Sequence, residues 1–145
     1  MAGDVARVRA KVQEHLTQSF SNITLGKDNV LSLRHGSARL FVDVRTREEN
    51  DWTWVNLTVP VLVEVKPSAD LNEFIAYQGA DFIFGNLSLS QWSEGTVAVM
   101  LEHNLLGDYL DEAELGRAVA GMLGSADTLD DDLRTRFGGN RFHED

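Results

Sequence analysis

The sequence predicts an α+β domain with the element order α-β-β-β-α-β-β-α, in which a five-stranded, mainly antiparallel sheet packs with three helices. Two observations predict this fold. Apolar residues recur at steps of three and four near both ends of the chain, as they do on the buried stripe of a helix. Between these ends, apolar and polar residues alternate in short runs, and short turns between such runs favour antiparallel pairing.

The first helix is predicted over residues 4–20. Asp4 stands where an N-cap or a first-turn acid stabilises a helix, and the pattern ends at Ser21-Asn22. The apolar stripe of this helix consists of Val5, Val8, Val12, Leu16 and Phe20.

Three strands are predicted next, over residues 30–34, 38–46 and 52–59. The first two are joined by His35-Gly36-Ser37, which has the composition of a hairpin connection. The third is expected to stop at Pro60 or to reach a sheet edge there, because proline has no N–H to donate to a ladder. The side chains predicted to face the core are Leu40, Val42, Val44, Val55, Leu57 and Val59.

The second half of the chain predicts a helix, two strands and a closing helix. Pro67-Ser68 begins the helix and Gly79 ends it. Strands follow over residues 82–89, with Gly85 as a possible bulge, and over residues 96–105. The closing helix starts at Asp111, whose spacing to Glu114 is similar to that of a capping box, and keeps an apolar stripe to Phe137. Because glycine weakens a helix, a kink or break is predicted near Gly124-Ser125.

These elements form one domain over residues 1–137. The remaining segment, residues 138–145, is predicted to be a flexible C-terminal tail, because it follows the last apolar position of the closing helix and begins with two glycines.

Composition favours a cytoplasmic protein. The chain has no cysteine and therefore no disulfide or thiolate metal site. No apolar run reaches the ~20 residues needed to span a bilayer, and the N-terminus lacks the apolar region of a secretion signal. The net charge of −10 argues against nucleic acid and anionic membranes as partners. Acidic residues concentrate between Asp108 and Asp132, which predicts a solvated helical face or, alternatively, selection of a basic peptide.

No motif predicts catalysis, a cofactor or a metal. The four histidines, which stand in separate elements, lack the spacing of a zinc site. Asp127 to Asp132 lacks the spacing of a calcium loop, and the apolar positions Leu129 and Leu133 indicate a helix there instead. Nucleophile elbows and phosphate-binding glycine loops are also missing. We therefore predict that the protein is not an enzyme and binds no cofactor.

Three aromatic residues are the candidate binding residues. Trp52 and Trp54 alternate with the apolar residues of their strand, and Phe41 does the same in the strand before it. All three are thus predicted on the face opposite the core, where exposed aromatic rings usually mark an interaction surface. The alternative is that a helix or a twofold-related copy covers them. This alternative is favoured because large aromatic side chains are rarely left exposed to water.

Four segments of the chain, together with the element order, have hydrophobic patterns that carry a family resemblance: NLLGDYLDEAELGRAV, ADTLDDDLRTRFGG, VPVLVEV and LNEFIAYQG. By these the chain resembles the superfamily of type III secretion chaperones of the Tir type and the YbjN proteins. The similarity extends over nearly the whole chain and is clearest to actinobacterial YbjN-like members. The ten arginines against three lysines are compatible with a GC-rich genome.

This resemblance implies a non-catalytic module that binds an extended segment of a client protein, as a homodimer and without ATP. Strand addition at a sheet edge, with pockets for alternate side chains, is the physical route. Two alternatives stay open from the residues alone: a regulatory or scaffold domain in a fixed complex with one folded partner, and a small-ligand binder or enzyme. Any role in a secretion system is left open.

Overall fold

The computed structural model describes residues 3–142, which form a single antiparallel sheet with three helices. The α+β class is thereby confirmed. The elements are α1 (Val5–Ser19), β1 (Thr24–Leu25), β2 (Leu31–His35), β3 (Ala38–Thr46), β4 (Thr53–Val65), α2 (Ala69–Gln78), β5 (Asn86–Gln91), β6 (Val97–Leu106) and α3 (Glu112–Phe137).

The sheet has the order β1-β2-β3-β4-β6-β5, and every neighbouring pair is antiparallel. The predicted number of five strands is wrong: the described residues form six, because the two-residue strand β1 pairs with β2. Two residues are too few to show alternation, so the sequence pattern could not indicate this strand. The element order is accordingly α-β-β-β-β-α-β-β-α.

Strand β4 does not stop at Pro60, but the edge of β4 that faces β3 is unpaired with β3 from there on, as the alternative expectation had it. Pro60 lies within it, and the strand runs to Val65. The ladder with β3 ends at Thr58, and the ladder with β6 shifts register directly after Pro60 and again before Val65. Proline is tolerated at such an irregular point. Gly85, predicted as a possible bulge, lies before the first residue of β5.

Two further expectations are corrected. Strand β5 begins at Asn86, because residues 82–85 form a loop in which the Gly85 N–H donates to Nδ1 of His103 at 3.1 Å. Helix α3 is continuous over its 26 residues, so the break predicted near Gly124-Ser125 is absent.

The core lies between one face of the sheet and the helices. The predicted stripe of α1 is confirmed, with Val8, Val12 and Leu16 fully buried. Alternate residues of β3, β4 and β6 meet these helices, and Phe74 of α2 contacts the ring of Phe137 of α3 at 5.6 Å between centroids. The three helices begin where the sequence predicts, with Asp4, Ser68 and Asp111 as their N-caps.

Asp108, in the loop after β6, fixes the beginning of β4. Its carboxylate accepts from the backbone N–H of Thr53 at 3.0 Å and from Arg7 of α1 at 3.2 Å. Lys11 of α1 donates to the carbonyl oxygens of Gly107 and Asp108 at 2.7 and 3.0 Å, and burial lowers the pKa of this lysine. These contacts position Trp52 and Trp54, which flank Thr53.

The segment after α3 returns to the sheet. Gly138 and Gly139 both have positive φ, and Asn140 pairs with Val63 of β4 in an antiparallel bridge. Whether residues 138–145 are flexible stays a prediction, since residues 143–145 lie outside the part of the chain that the structure describes.

Candidate functional site

The candidate site is the sheet face opposite the helices, which we call the outer face. It carries the side chains that alternate with the core residues of β3, β4 and β6. The register places them in rows across the strands: Arg45, Trp54 and Leu106; Asp43, Asn56 and Asn104; and Phe41, Thr58 and Glu102.

One end of the outer face carries two tryptophans and a leucine that are partly exposed, beside charged and polar side chains. Trp52 and Trp54 contact each other with ring centroids 6.0 Å apart, and the Arg47 guanidinium lies 5.7 Å from the Trp54 ring. Trp52 is 40% exposed, and Leu106, directly opposite Trp54, is 64% exposed. An open groove of about 660 Å³ lies here, lined by Arg45, Arg47, Glu49, Asn50, Trp52, Trp54, Asn56, Glu102, Asn104, Leu105 and Leu106.

The middle of the outer face is polar. The Asn56 amide donates to Oδ1 of Asn104 at 2.9 Å, and the Thr58 hydroxyl donates to Oδ1 of Asn56 at 2.8 Å. Asn104 and Glu102 are exposed. This part of the face therefore offers oriented hydrogen-bond donors and acceptors to a bound molecule.

Phe41 lies at a second aromatic cluster. Its ring meets Phe142 edge-on at 5.8 Å, and Phe142 in turn meets Trp92 at 6.1 Å. The Arg39 guanidinium is 5.4 Å from the Phe41 ring. Phe41 is thus covered in part by the chain's own C-terminal segment.

The structure places all three sequence-predicted residues on the outer face but does not bring them together. Trp52 and Trp54 are in contact, whereas Phe41 lies opposite Thr58, four residues further along β4. At ~3.3 Å per residue this is a separation of roughly 13 Å. Sequence reasoning missed Leu106, which alternation with Leu105 could have indicated, and also missed Trp92 and Phe142, whose contacts cross distant parts of the chain.

The histidines and carboxylates do not assemble into a metal site. Within residues 3–142, no group of three or more histidine, aspartate or glutamate side chains is placed to hold a metal ion. His143 lies outside the described residues. None of the helices described is long and apolar enough to cross a membrane.

Two carboxylates of the acidic helix α3 instead hold the β2–β3 hairpin. Asp127 accepts from the backbone N–H of Ser37 at 2.9 Å and from its hydroxyl at 2.8 Å, and the same hydroxyl contacts Asp130. The two hydrogen bonds from Ser37 lower the pKa of Asp127, since they stabilise the charged form. Asp130 is buried, whereas an acid of a solvated face would be exposed.

Comparison with known proteins identifies the family. A model of the family described as T3SS (YopN, CesT) and YbjN peptide-binding chaperone 1 matches residues 5–145. The fold is similar to that of a chain in the crystal structure of the ExsC–ExsE complex, with a TM-score of 0.61 and 14% identity over 89% of this chain and 95% of that one. No curated protein matches the chain. The chain therefore belongs to the family of type III secretion and YbjN peptide-binding chaperones, and is a peptide-binding module of that type.

Proposed function

We propose that this module binds an extended segment of a client protein on its outer face, with Trp52, Trp54 and Phe41 contacting the client's side chains. The single observation that carries this proposal is the distribution of groups on that face. Aromatic rings lie at both ends, and a band of hydrogen-bonding side chains lies between them.

This arrangement suits an extended peptide better than a compact ligand. A strand of four to five residues spans the roughly 13 Å between the two aromatic clusters. Its apolar side chains would contact the rings, while its backbone and polar side chains would hydrogen-bond to the middle band. The groove beside Trp54 is open, as a site for a long polymer must be.

We further propose that the protein acts by binding alone, without catalysis, in the cytoplasm and as a homodimer. The family and the fold similarity to a chain of the ExsC–ExsE complex support a binding role. The ExsC–ExsE structure is itself a complex of two different proteins, which supports a protein partner for this chain as well.

The test is a Trp52→Ala, Trp54→Ala double variant of the full chain. Fluorescein-labelled 15-residue peptides, with apolar, aromatic and basic residues in varied order, are titrated with protein while anisotropy is recorded. Peptides that bind the wild type should bind the double variant about ten- to a hundredfold more weakly, because buried aromatic residues contribute much of the affinity of an interface.

Tyr109→Ala is the matched control, since Tyr109 is an aromatic residue that is 91% exposed, follows β6 and does not line the groove. It should leave affinity unchanged. Thermal unfolding of each variant checks that the sheet remains folded. Equal affinity of the wild type and the double variant for every bound peptide would contradict the proposed site.

A further inference from the structure

The C-terminal segment 139–142, which we call the tail strand, occupies the edge of β4 that β3 leaves free. The backbone N–H of Val63 donates to the Asn140 carbonyl at 2.8 Å, and the Asn140 N–H donates to the Val63 carbonyl at 2.9 Å. Because β6 pairs along the other edge of β4 here, and the β3 ladder ends at Thr58, the tail strand takes the position of an added strand.

Side chains of the tail strand make three further contacts. The Asn140 amide donates to Oε2 of Glu64 at 3.0 Å. Arg141 pairs with the carboxylates of Asp130 (Nε to Oδ2, 3.4 Å) and Asp131. Phe142 lies between the rings of Phe41 and Trp92, edge-on to both.

These contacts use chemistry that does not depend on Asn140 to Phe142 belonging to the same chain. Any residue in extended conformation can form the two backbone hydrogen bonds with Val63. The two carboxylates of α3 accept any guanidinium or ammonium group, and the Phe41–Trp92 cluster accepts any aromatic ring edge-on. The feature that is specific to this chain is the connection from α3 to Asn140, which runs through Gly138 and Gly139.

Gly139 has no room for a side chain when the tail strand is bound. Its φ is +82°, and a Cβ atom added there would lie 2.6 Å from Cγ2 of Val65 and 2.8 Å from the Val63 carbonyl oxygen. Gly138 has a similar φ of +77°, but a Cβ added there would meet nothing within 4 Å. Alanine at Gly139 therefore opposes docking by sterics and by backbone strain, whereas alanine at Gly138 does so by strain alone.

We propose that the tail strand is a built-in occupant of a client-binding site, and that a client segment with a basic residue followed by an aromatic residue displaces it. The site consists of the β4 edge at Val63, the Asp130–Asp131 pair and the Phe41–Trp92 cluster. This inference rests on the proposed peptide-binding function and names the kind of peptide. The net charge of −10 favours a client segment that carries positive charge.

Competition by the tail strand has a measurable consequence. The apparent dissociation constant of a client equals its intrinsic value divided by the fraction of molecules with a free site. If the tail strand occupies the site in 90–99% of molecules, its release raises the apparent affinity by about ten- to a hundredfold.

The experiment uses a labelled peptide with the sequence of residues 138–145, GGNRFHED, as the probe. It is titrated against the full-length wild type, Gly139→Ala and Gly138→Ala. We expect Gly139→Ala to bind the probe at least tenfold more tightly than the wild type, and Gly138→Ala to show a smaller gain. A probe with alanine in place of its phenylalanine should bind Gly139→Ala much more weakly than the original probe does. The original probe should likewise bind a Phe41→Ala, Gly139→Ala double variant much more weakly than it binds Gly139→Ala.

Equal affinity of the wild type and Gly139→Ala for the probe would overturn the inference, while Trp52- and Trp54-dependent binding of other peptides would leave the proposed function standing. If the probe binds the wild type and Gly139→Ala equally, and no peptide binds in a way that depends on Trp52 and Trp54, the inference and the proposed function are both wrong. If the probe does not bind and Gly139→Ala instead associates with itself through its tail, the occupant is a second copy and the inference is wrong. Phe142→Ala, which leaves the backbone unchanged, replaces Gly139→Ala if that variant does not fold.

Discussion

At the scale of single residues, Asp127 connects two distant parts of the chain. Its carboxylate on α3 accepts both donors of Ser37, in the turn between β2 and β3. The adjacent Asp130 contacts the same hydroxyl and also the tail residue Arg141. The sequence indicates these acidic residues as a solvated helical face. Two of them, Asp127 and Asp130, instead join the hairpin and the tail strand to α3.

The lowered pKa of Asp127 predicts a pH dependence. A carboxylate whose pKa is lower in the folded state than in the unfolded state stabilises the fold above the unfolded pKa, which is about 3.9 for aspartate. That contribution disappears as the pH falls from there through the lower folded value. The free energy of unfolding of the wild type should therefore decrease over this acidic range. Asp127→Asn should be less stable than the wild type at pH 7, and its free energy of unfolding should change less over the same range.

Urea unfolding at steps between about pH 2 and pH 7, followed by circular dichroism, measures this effect. Asp132→Asn is the matched control, because it removes the same charge from the exposed surface of α3 without touching Ser37. Identical pH profiles for the two variants would show that the Ser37 hydrogen bonds do not favour the ionised Asp127.

The candidate site could be predicted only in part, for a reason that also lies at the residue scale. Alternation along β3 and β4 is a local property, so it placed Phe41 and Trp54 on the outer face correctly. The contact of Phe142 with Phe41 and Trp92 joins three distant segments, and no local periodicity contains that information.

At the scale of elements, the differences between prediction and structure have tertiary causes. β4 passes through Pro60 because its ladders are irregular at that point. Residues 82–84 are all apolar and favour a strand, yet residues 82–85 form a loop in which Phe84 packs edge-on against His103. In both places a contact from elsewhere in the fold outweighs the local preference, whereas the stripe of α1, with no such competitor, was predicted correctly.

Helix α3 allows a direct test of why its glycines are tolerated. A Cβ added to Gly124 would meet nothing within 4 Å, so Gly124→Ala should gain the helix propensity of alanine, about 1 kcal/mol. For a chain of this size, that gain raises Tm by roughly 3 °C. A Cβ added to Gly121 would instead lie 2.7 Å from the ring of Phe84.

Gly121→Ala is therefore the matched control within the same helix. It should lower Tm or leave it unchanged, because displacement of the Phe84 ring offsets the gain in propensity. Differential scanning calorimetry of both variants measures the difference. A higher Tm for Gly121→Ala than for Gly124→Ala would contradict the packing of the 82–85 loop against α3.

At the scale of the whole molecule, the net charge of −10 acts differently on the two associations that we propose. Two copies of the chain repel each other, whereas a client segment with a basic residue is attracted. The screening length falls from ~30 Å at 0.01 M salt to ~8 Å at 0.15 M. Added salt should therefore strengthen a homodimer and weaken client binding.

Sedimentation velocity at micromolar concentration tests the homodimer and its salt dependence together. We expect a species of twice 16.1 kDa at 0.15 M salt and a larger share of monomer at 0.01 M. Binding of an arginine-containing peptide, measured on the same samples by anisotropy, should weaken over the same range, and a peptide with glutamine in place of arginine should respond less. A monomer at both salt concentrations would exclude the homodimer at micromolar concentration, and a dimer that dissociates on adding salt would mean that its interface joins opposite charges despite the acidic surface.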